Sequence, residues 1–207
     1  METLQTLFAW LPYLLGGFLK NITIALSAMA IGTVLGATLA LLKFSKKKTV
    51  QVSVSATTSF FRNVPTLVIL FYLATLLPNQ WTPIEGLTIP LTPTFKASLA
   101  LASSPLGFTA WNLYAAIENW RKGDHHAAML FIPNWIGAFL VTTLASSVSS
   151  LVGVDELVGR SNSVINATDP KYMIPVYLLA MGLFFAFCFS VSSLLAQFRR
   201  WILRSRI

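Results

Sequence analysis

Tyr172–Phe198 carries no charged side chain from end to end, and Asn21–Leu42 carries none either. Uncharged runs of this length leave a chain few options. About 20 mostly apolar residues match the hydrocarbon thickness of a bilayer, and the backbone amides of such a run must be satisfied within a helix. A soluble domain has typically about 25% charged residues; this chain of 207 residues has 11%, with 55% hydrophobic. The expectation is an all-α integral membrane protein, residues 1–207 forming one transmembrane domain with the lipid bilayer as its solvent. The lone Cys188 lies inside an apolar run, so no intrachain disulfide can form.

Five spans are expected, near 21–42, 50–77, 95–120, 127–152 and 172–198. Residues 1–20 are apolar but hold Pro12 and Gly16–Gly17, which predicts a separate N-terminal interfacial helix with Trp10 and Tyr13 at headgroup level. No basic stretch precedes it, so it does not read as a secretory signal. The second span is interrupted at Arg62-Asn63-Val64-Pro65, and Pro105 and Gly107 predict a kink in the third. Pro78–Thr94 holds four prolines and reads as an extended external loop. Gly153–Lys171 is polar enough to lie outside the bilayer or in a protein-lined cavity. Gly32 and Gly36, four apart, predict close approach of another helix.

The net charge of +8 invites a nucleic-acid reading, but no polar domain exists to display it. The cations sit instead at span ends. One side would hold Lys43, Lys46, Lys47, Lys48, Arg121, Lys122, Arg199, Arg200, Arg204 and Arg206, the other Lys20, Lys96, Arg160 and Lys171. The positive-inside rule then places the C-terminus in the cytoplasm, the N-terminus outside, and the link 122–126 in the cytoplasm.

Four stretches, in order, carry a family resemblance. Leu14–Leu42 is similar to the first span of the transmembrane permease subunit of polar amino-acid ABC importers. Phe60–Pro78 resembles that family's F-F-R-G-T-P-L-L-V signature, with Asn63-Val64 in place of Gly-Thr. Glu118-Asn119-Trp120-Arg121 resembles its Glu-x-aromatic-Arg, and Ser149–Leu157 its S-x-x-G-V-x-E-L run. The resemblance implies the type I importer permease fold in a bacterial plasma (inner) membrane. It also implies three partners: a second permease subunit of the same fold, an ATP-binding subunit, and an external substrate-binding protein.

One interval departs from the pattern. Between Arg121 and Pro133 the family holds a cytoplasmic helix–turn–helix, with E-A-A…G…L-P, that docks into the ATPase. Here Lys122, Gly123, Asp124, His125 and His126 lead directly back into apolar chain. His126-Ala127-Ala128 imitates E-A-A, but no glycine follows before Gly137. The coupling region is degenerate, and ATPase closure has no lever here. An equilibrium shifts only through differential contact free energy between its states.

Arg62, Thr66, Asn112 and Asn134 are the candidates for lining a substrate route. For Arg62 the plainer expectation is a helix-break residue satisfied by carbonyls near Pro65. For the two asparagines it is hydrogen bonding between helices. Glu118 and Arg121 are expected to form a local ion pair, and Asp155-Glu156 a solvated helix cap. His125-His126 lacks the further ligands a zinc site needs. With no phosphate-cradling glycine loop and no catalytic triad, the chain reads as neither an enzyme nor a cofactor protein. Two functional classes stay open. One is a degenerate permease subunit that reaches the ATPase through its partner. The other is a permease fold reused as a non-transporting scaffold or assembly subunit.

Overall fold

Proline decides where this chain bends. In the computed structural model, which describes residues 2–84 and 87–204, α2 (Lys48–Asn63) and α3 (Thr66–Leu76) meet at 95° across Val64 and Pro65. Both linking residues are extended, the conformation a residue preceding proline favours. The expected third span is two helices, α4 (Pro93–Leu101) and α5 (Ser103–Arg121). Pro105 has no N–H for the Leu101 carbonyl, and α4 stops at that residue. The same rule ends α6 (His125–Met129) before α7 (Phe131–Ala145), because Pro133 leaves the Met129 carbonyl without a partner. A 3₁₀ turn over Ser146–Val152 continues α7. Then follow α8 (Leu157–Ala167) and, after a turn at Pro170–Tyr172, α9 (Met173–Arg204).

Two expectations are corrected. The N-terminal helix does not stop at residue 20; α1 runs unbroken over Glu2–Leu42, with Pro12 inside it. Gly16 and Gly17 are there for proximity. A Cβ on Gly17 would lie 2.9 Å from the Leu157 backbone, and one on Gly16 2.5 Å from an Arg160 nitrogen. They form the notch in which the start of α8 sits. The expected loop 78–94 also holds a hairpin, β1 (Gln80–Ile84) against β2 (Leu87–Pro90), with Gln80 opposite Pro90.

Among the described residues three helical stretches are long and apolar enough to cross a membrane: Thr3–Leu42, His125–Val152 and Pro170–Arg204. The α2–α3 pair adds a fourth if it counts as one span. Around α1 lie two cores. Ile24 and Ala28 pack with Leu70, Ala97, Ala100, Leu101 and Val154. Leu14 and Phe18 pack with Leu157, Val164, Tyr172, Val176 and Ala180, and Phe18 meets Phe184 and Phe187 edge-on at 5.3 and 5.6 Å. C-terminal to both cores α1 lies against α5: a Cβ on Gly32 would stand 2.6 Å from the Ala102 carbonyl, and one on Gly36 2.6 Å from that of Leu106. No side chain fits at either glycine without moving backbone, so they set the approach of α5.

Candidate functional site

The bend at Pro65 opens a polar recess. Arg62, Thr66 and Asn112 line it together with Phe61, Val64, Ser104 and Phe108, in about 220 Å³. Three of the four candidate residues, from the end of α2, the start of α3 and the middle of α5, thus share one concavity. Asn134 lies in a larger cleft of about 610 Å³ between α5, α7 and α9, with Pro133, Gly137, Ser192 and Arg199. Ser104 and Phe108 line both. The two concavities therefore abut across one face of α5.

Arg62 is exposed, and its guanidinium lies 4.6 Å from the centroid of the Trp111 ring. No described carboxylate or carbonyl satisfies it, so the expectation of backbone carbonyls near Pro65 is corrected: an indole face holds the charge. Gly107 allows this, since a Cβ there would fall 2.8 Å from the Arg62 Cγ. Asn112 donates to the Phe108 carbonyl in its own helix at 2.9 Å, not to a neighbouring helix. Thr66 opens α3, whose first amides follow a proline and point toward the bend.

The link at 122–126 is a closed turn. Gly123 takes the left-handed conformation at φ +85. Its N–H donates to the Trp120 carbonyl at 3.1 Å, and that of Asp124 to the Asn119 carbonyl at 3.0 Å. These bonds close the end of α5. The Asp124 carboxylate then accepts from the Ala127 N–H at 3.0 Å and starts α6. One glycine and one cap reverse the chain, with five residues of helix before Pro133 forces the next break. His125 lies edge-on to Trp120 at 4.3 Å. His126 Nδ1 is buried without a partner. Among the described residues no group of three His, Cys, Asp or Glu side chains could hold a metal.

The sequence reading missed how deeply three polar residues are buried. Glu156, expected to be solvated, is fully buried. It caps α8 by accepting from the Val158 and Gly159 N–H groups at 3.0 and 3.2 Å. Asn21, also fully buried, donates to Glu156 and to Ser146 Oγ, and accepts from the Leu157 N–H. Burial pushes the Glu156 carboxyl above its ordinary range, and its hydrogen-bond donors only partly oppose that. Lys96, 4% exposed, donates to the Leu77 carbonyl at 2.6 Å, Asn79 Oδ1 at 3.0 Å and the Ala74 carbonyl at 3.4 Å. A cation closes the C-terminal end of α3, where the helix dipole favours one. Glu118 accepts from the Tyr114 hydroxyl at 2.8 Å, and Arg121 lies over Phe44. The expected Glu118–Arg121 ion pair does not form. Arg160 instead pairs with Asp155, at 3.0 Å.

The sequence matches no family model and no curated protein. Among solved structures, the crystal structure of an amino acid ABC transporter with histidines superimposes with a TM-score of 0.78 at 20% identity. The match covers 95% of this chain and 97% of that one. The chain therefore has the fold of an amino-acid ABC transporter permease, built here with a closed turn between α5 and α6.

Proposed function

We propose that this protein is a degenerate permease subunit of a heteromeric binding-protein-dependent importer in a bacterial inner membrane. The observation that carries the reading is the α5–α6 turn, in which Gly123 and Asp124 reverse the chain without leaving length for a helix that could enter an ATPase. In this reading five crossings, with α4 and α5 together as the third, put the N-terminus outside and the C-terminus in the cytoplasm. A second permease of the same fold retains the coupling segment and transmits ATPase closure to both subunits. An external binding protein delivers a small polar amino acid. The solute passes Arg62, Thr66 and Asn112 in the recess, then Asn134 in the adjoining cleft. An intramembrane arginine without a carboxylate partner suits the carboxylate of such a solute.

The test is purification of the native complex in mild detergent, with every co-eluting subunit identified by mass spectrometry. An ATPase together with a second permease bearing an intact loop is the expected result. Recovery of an unrelated membrane assembly, with neither of these, would establish the scaffold reading instead. An ATPase bound to a homodimer of this chain would also overturn the proposal, because that dimer has no coupling segment.

A further inference from the structure

The hairpin between α3 and α4 has an apolar face that no helix covers. Trp81 stands opposite Ile89, and Ile84 opposite Leu87. Trp81 and Ile84 are three apart on β1 while Ile89 and Leu87 are two apart on β2, so β1 carries one extra residue over Thr82 and Pro83. Pro83 has no N–H to give to the ladder, which suits it to a bulge. The bulge decides the character of the hairpin. In a regular strand Trp81 and Ile84 would point to opposite faces. With the extra residue both join Leu87 and Ile89 on one face, because directly paired residues share a face. Gln80, Thr88 and Pro90 take the other face.

Every described residue of the two strands is exposed, and the apolar four range from 37% at Ile89 to 69% at Ile84. A two-stranded ribbon is marginal in water by itself, so a cover on this face stabilises it. The position of the hairpin selects the cover. Its base is fixed at the end of α3: the Leu91 N–H donates to the Asn79 carbonyl at 2.9 Å, and Lys96 donates to Asn79 Oδ1 and the Leu77 carbonyl. Exposed apolar side chains lead into it from both sides, Tyr72 and Leu76 on α3 and Phe95 on α4. Between Arg62 and Glu118 the charged residues are Glu85 and Lys96, and Lys96 is turned inward onto α3. Four side chains also fall well short of the roughly 20–30 residues a side that a stable protein interface uses. Tryptophan at the end of an apolar helix is an anchor at headgroup level. We infer that the face made by Trp81, Ile84, Leu87 and Ile89 rests on the lipid surface, at the boundary of headgroups and acyl chains, with Gln80 and Thr88 toward water. This contact holds whether or not a solute crosses the recess.

The experiment uses the full chain, carrying Cys188→Ser, in phosphatidylcholine nanodiscs. An environment-sensitive fluorophore is attached at Ile84→Cys, Leu87→Cys or Thr88→Cys, one at a time. Quenching is measured with a phosphatidylcholine bearing a doxyl group near the headgroup end of one chain, and separately with aqueous iodide. The labels at Ile84→Cys and Leu87→Cys are expected to be quenched by the doxyl lipid, and several-fold less by iodide than the label at Thr88→Cys. Agreement between the first two excludes a local effect of either substitution. Iodide access at all three positions without doxyl quenching puts the apolar face in water, open to a soluble protein, and refutes the lipid contact. Protection of Ile84→Cys and Leu87→Cys from both quenchers means that protein covers the face, a second copy included, and refutes it equally. Equal doxyl quenching at all three positions would show that the hairpin does not rest on one face, which also overturns the assignment.

Discussion

Asn21 and Glu156, 135 positions apart, are joined by a 2.8 Å hydrogen bond at a point where both side chains are fully buried. The amide spends its remaining capacity on Ser146 Oγ and on the Leu157 N–H, at 2.9 and 3.1 Å. One side chain on α1 therefore fixes both the end of the α7 run and the start of α8. Buried polar groups satisfied to this degree rigidify a structure, and become costly when one partner is removed.

Asn21→Ala should therefore destabilise the protein by about 2–3 kcal/mol, since it strands Ser146, the Leu157 amide and the Glu156 carboxyl together. Detergent-solubilised variants compared by thermal unfolding would show it. Asn21→Asp should fare no better, because a second acid would face Glu156. An Asn21→Ala melting curve that overlays the wild type would mean the network carries no stability.

The same network makes stability depend on pH. The folded Glu156 carboxyl holds its proton to higher pH than the unfolded one, chiefly because burial disfavours its charge. Its contribution is thus fully present below the unfolded pKa and is lost as pH rises through the folded one. Wild-type stability should fall through that window, and Glu156→Gln, which cannot ionise, should flatten the fall. Equal slopes for the two proteins would show that some other group sets the dependence.

The bends of this fold are local chemistry, and so they can be read in the sequence. Pro65, Pro105 and Pro133 each act on the backbone within four residues. Gly32 and Gly36 announce themselves by spacing. Gly16 and Gly17 mislead for the opposite reason: alone they suggest a break, and only Arg160, far along the chain, explains why a continuous helix needs them. Lys96 counts only as a cation at a span end until α3 folds back and offers its carbonyls. The Asn21–Glu156 bond and the Arg62–Trp111 contact require helices that sequence cannot place side by side. The recess is intermediate: Arg62, Thr66 and Asn112 could be named, but not that they would meet, with Ser104 and Phe108 between them and the cleft of Asn134.

Lys96→Met should loosen α3 locally. It leaves the Leu77 and Ala74 carbonyls and the Asn79 amide oxygen without their donor, a loss of about 1.5–3 kcal/mol for a hydrogen bond to a charged group. Hydrogen exchange in detergent is the sensitive measurement, because opening free energies vary along a chain. Faster exchange is expected over the last turn of α3 and in the following hairpin, with α8 unchanged. Uniform acceleration would mean that Lys96 supports the whole fold rather than this end of α3.

A matched pair of glycine substitutions isolates the contact between α1 and α5. At Gly36 an added Cβ meets the Leu106 carbonyl at 2.6 Å and the Ala110 nitrogen at 3.0 Å, both backbone atoms that cannot rotate away. At Gly182, in α9, it meets nothing within 4 Å. Both positions are helical, so the gain in helix propensity is the same, up to about 1 kcal/mol. The packing penalty differs, at about 1–3 kcal/mol for forcing apart a close-packed contact. Gly36→Ala should therefore lower the melting temperature while Gly182→Ala leaves it level or raises it. If the two variants move together, helix propensity dominates, and the close approach at Gly36 does not hold α5 against α1.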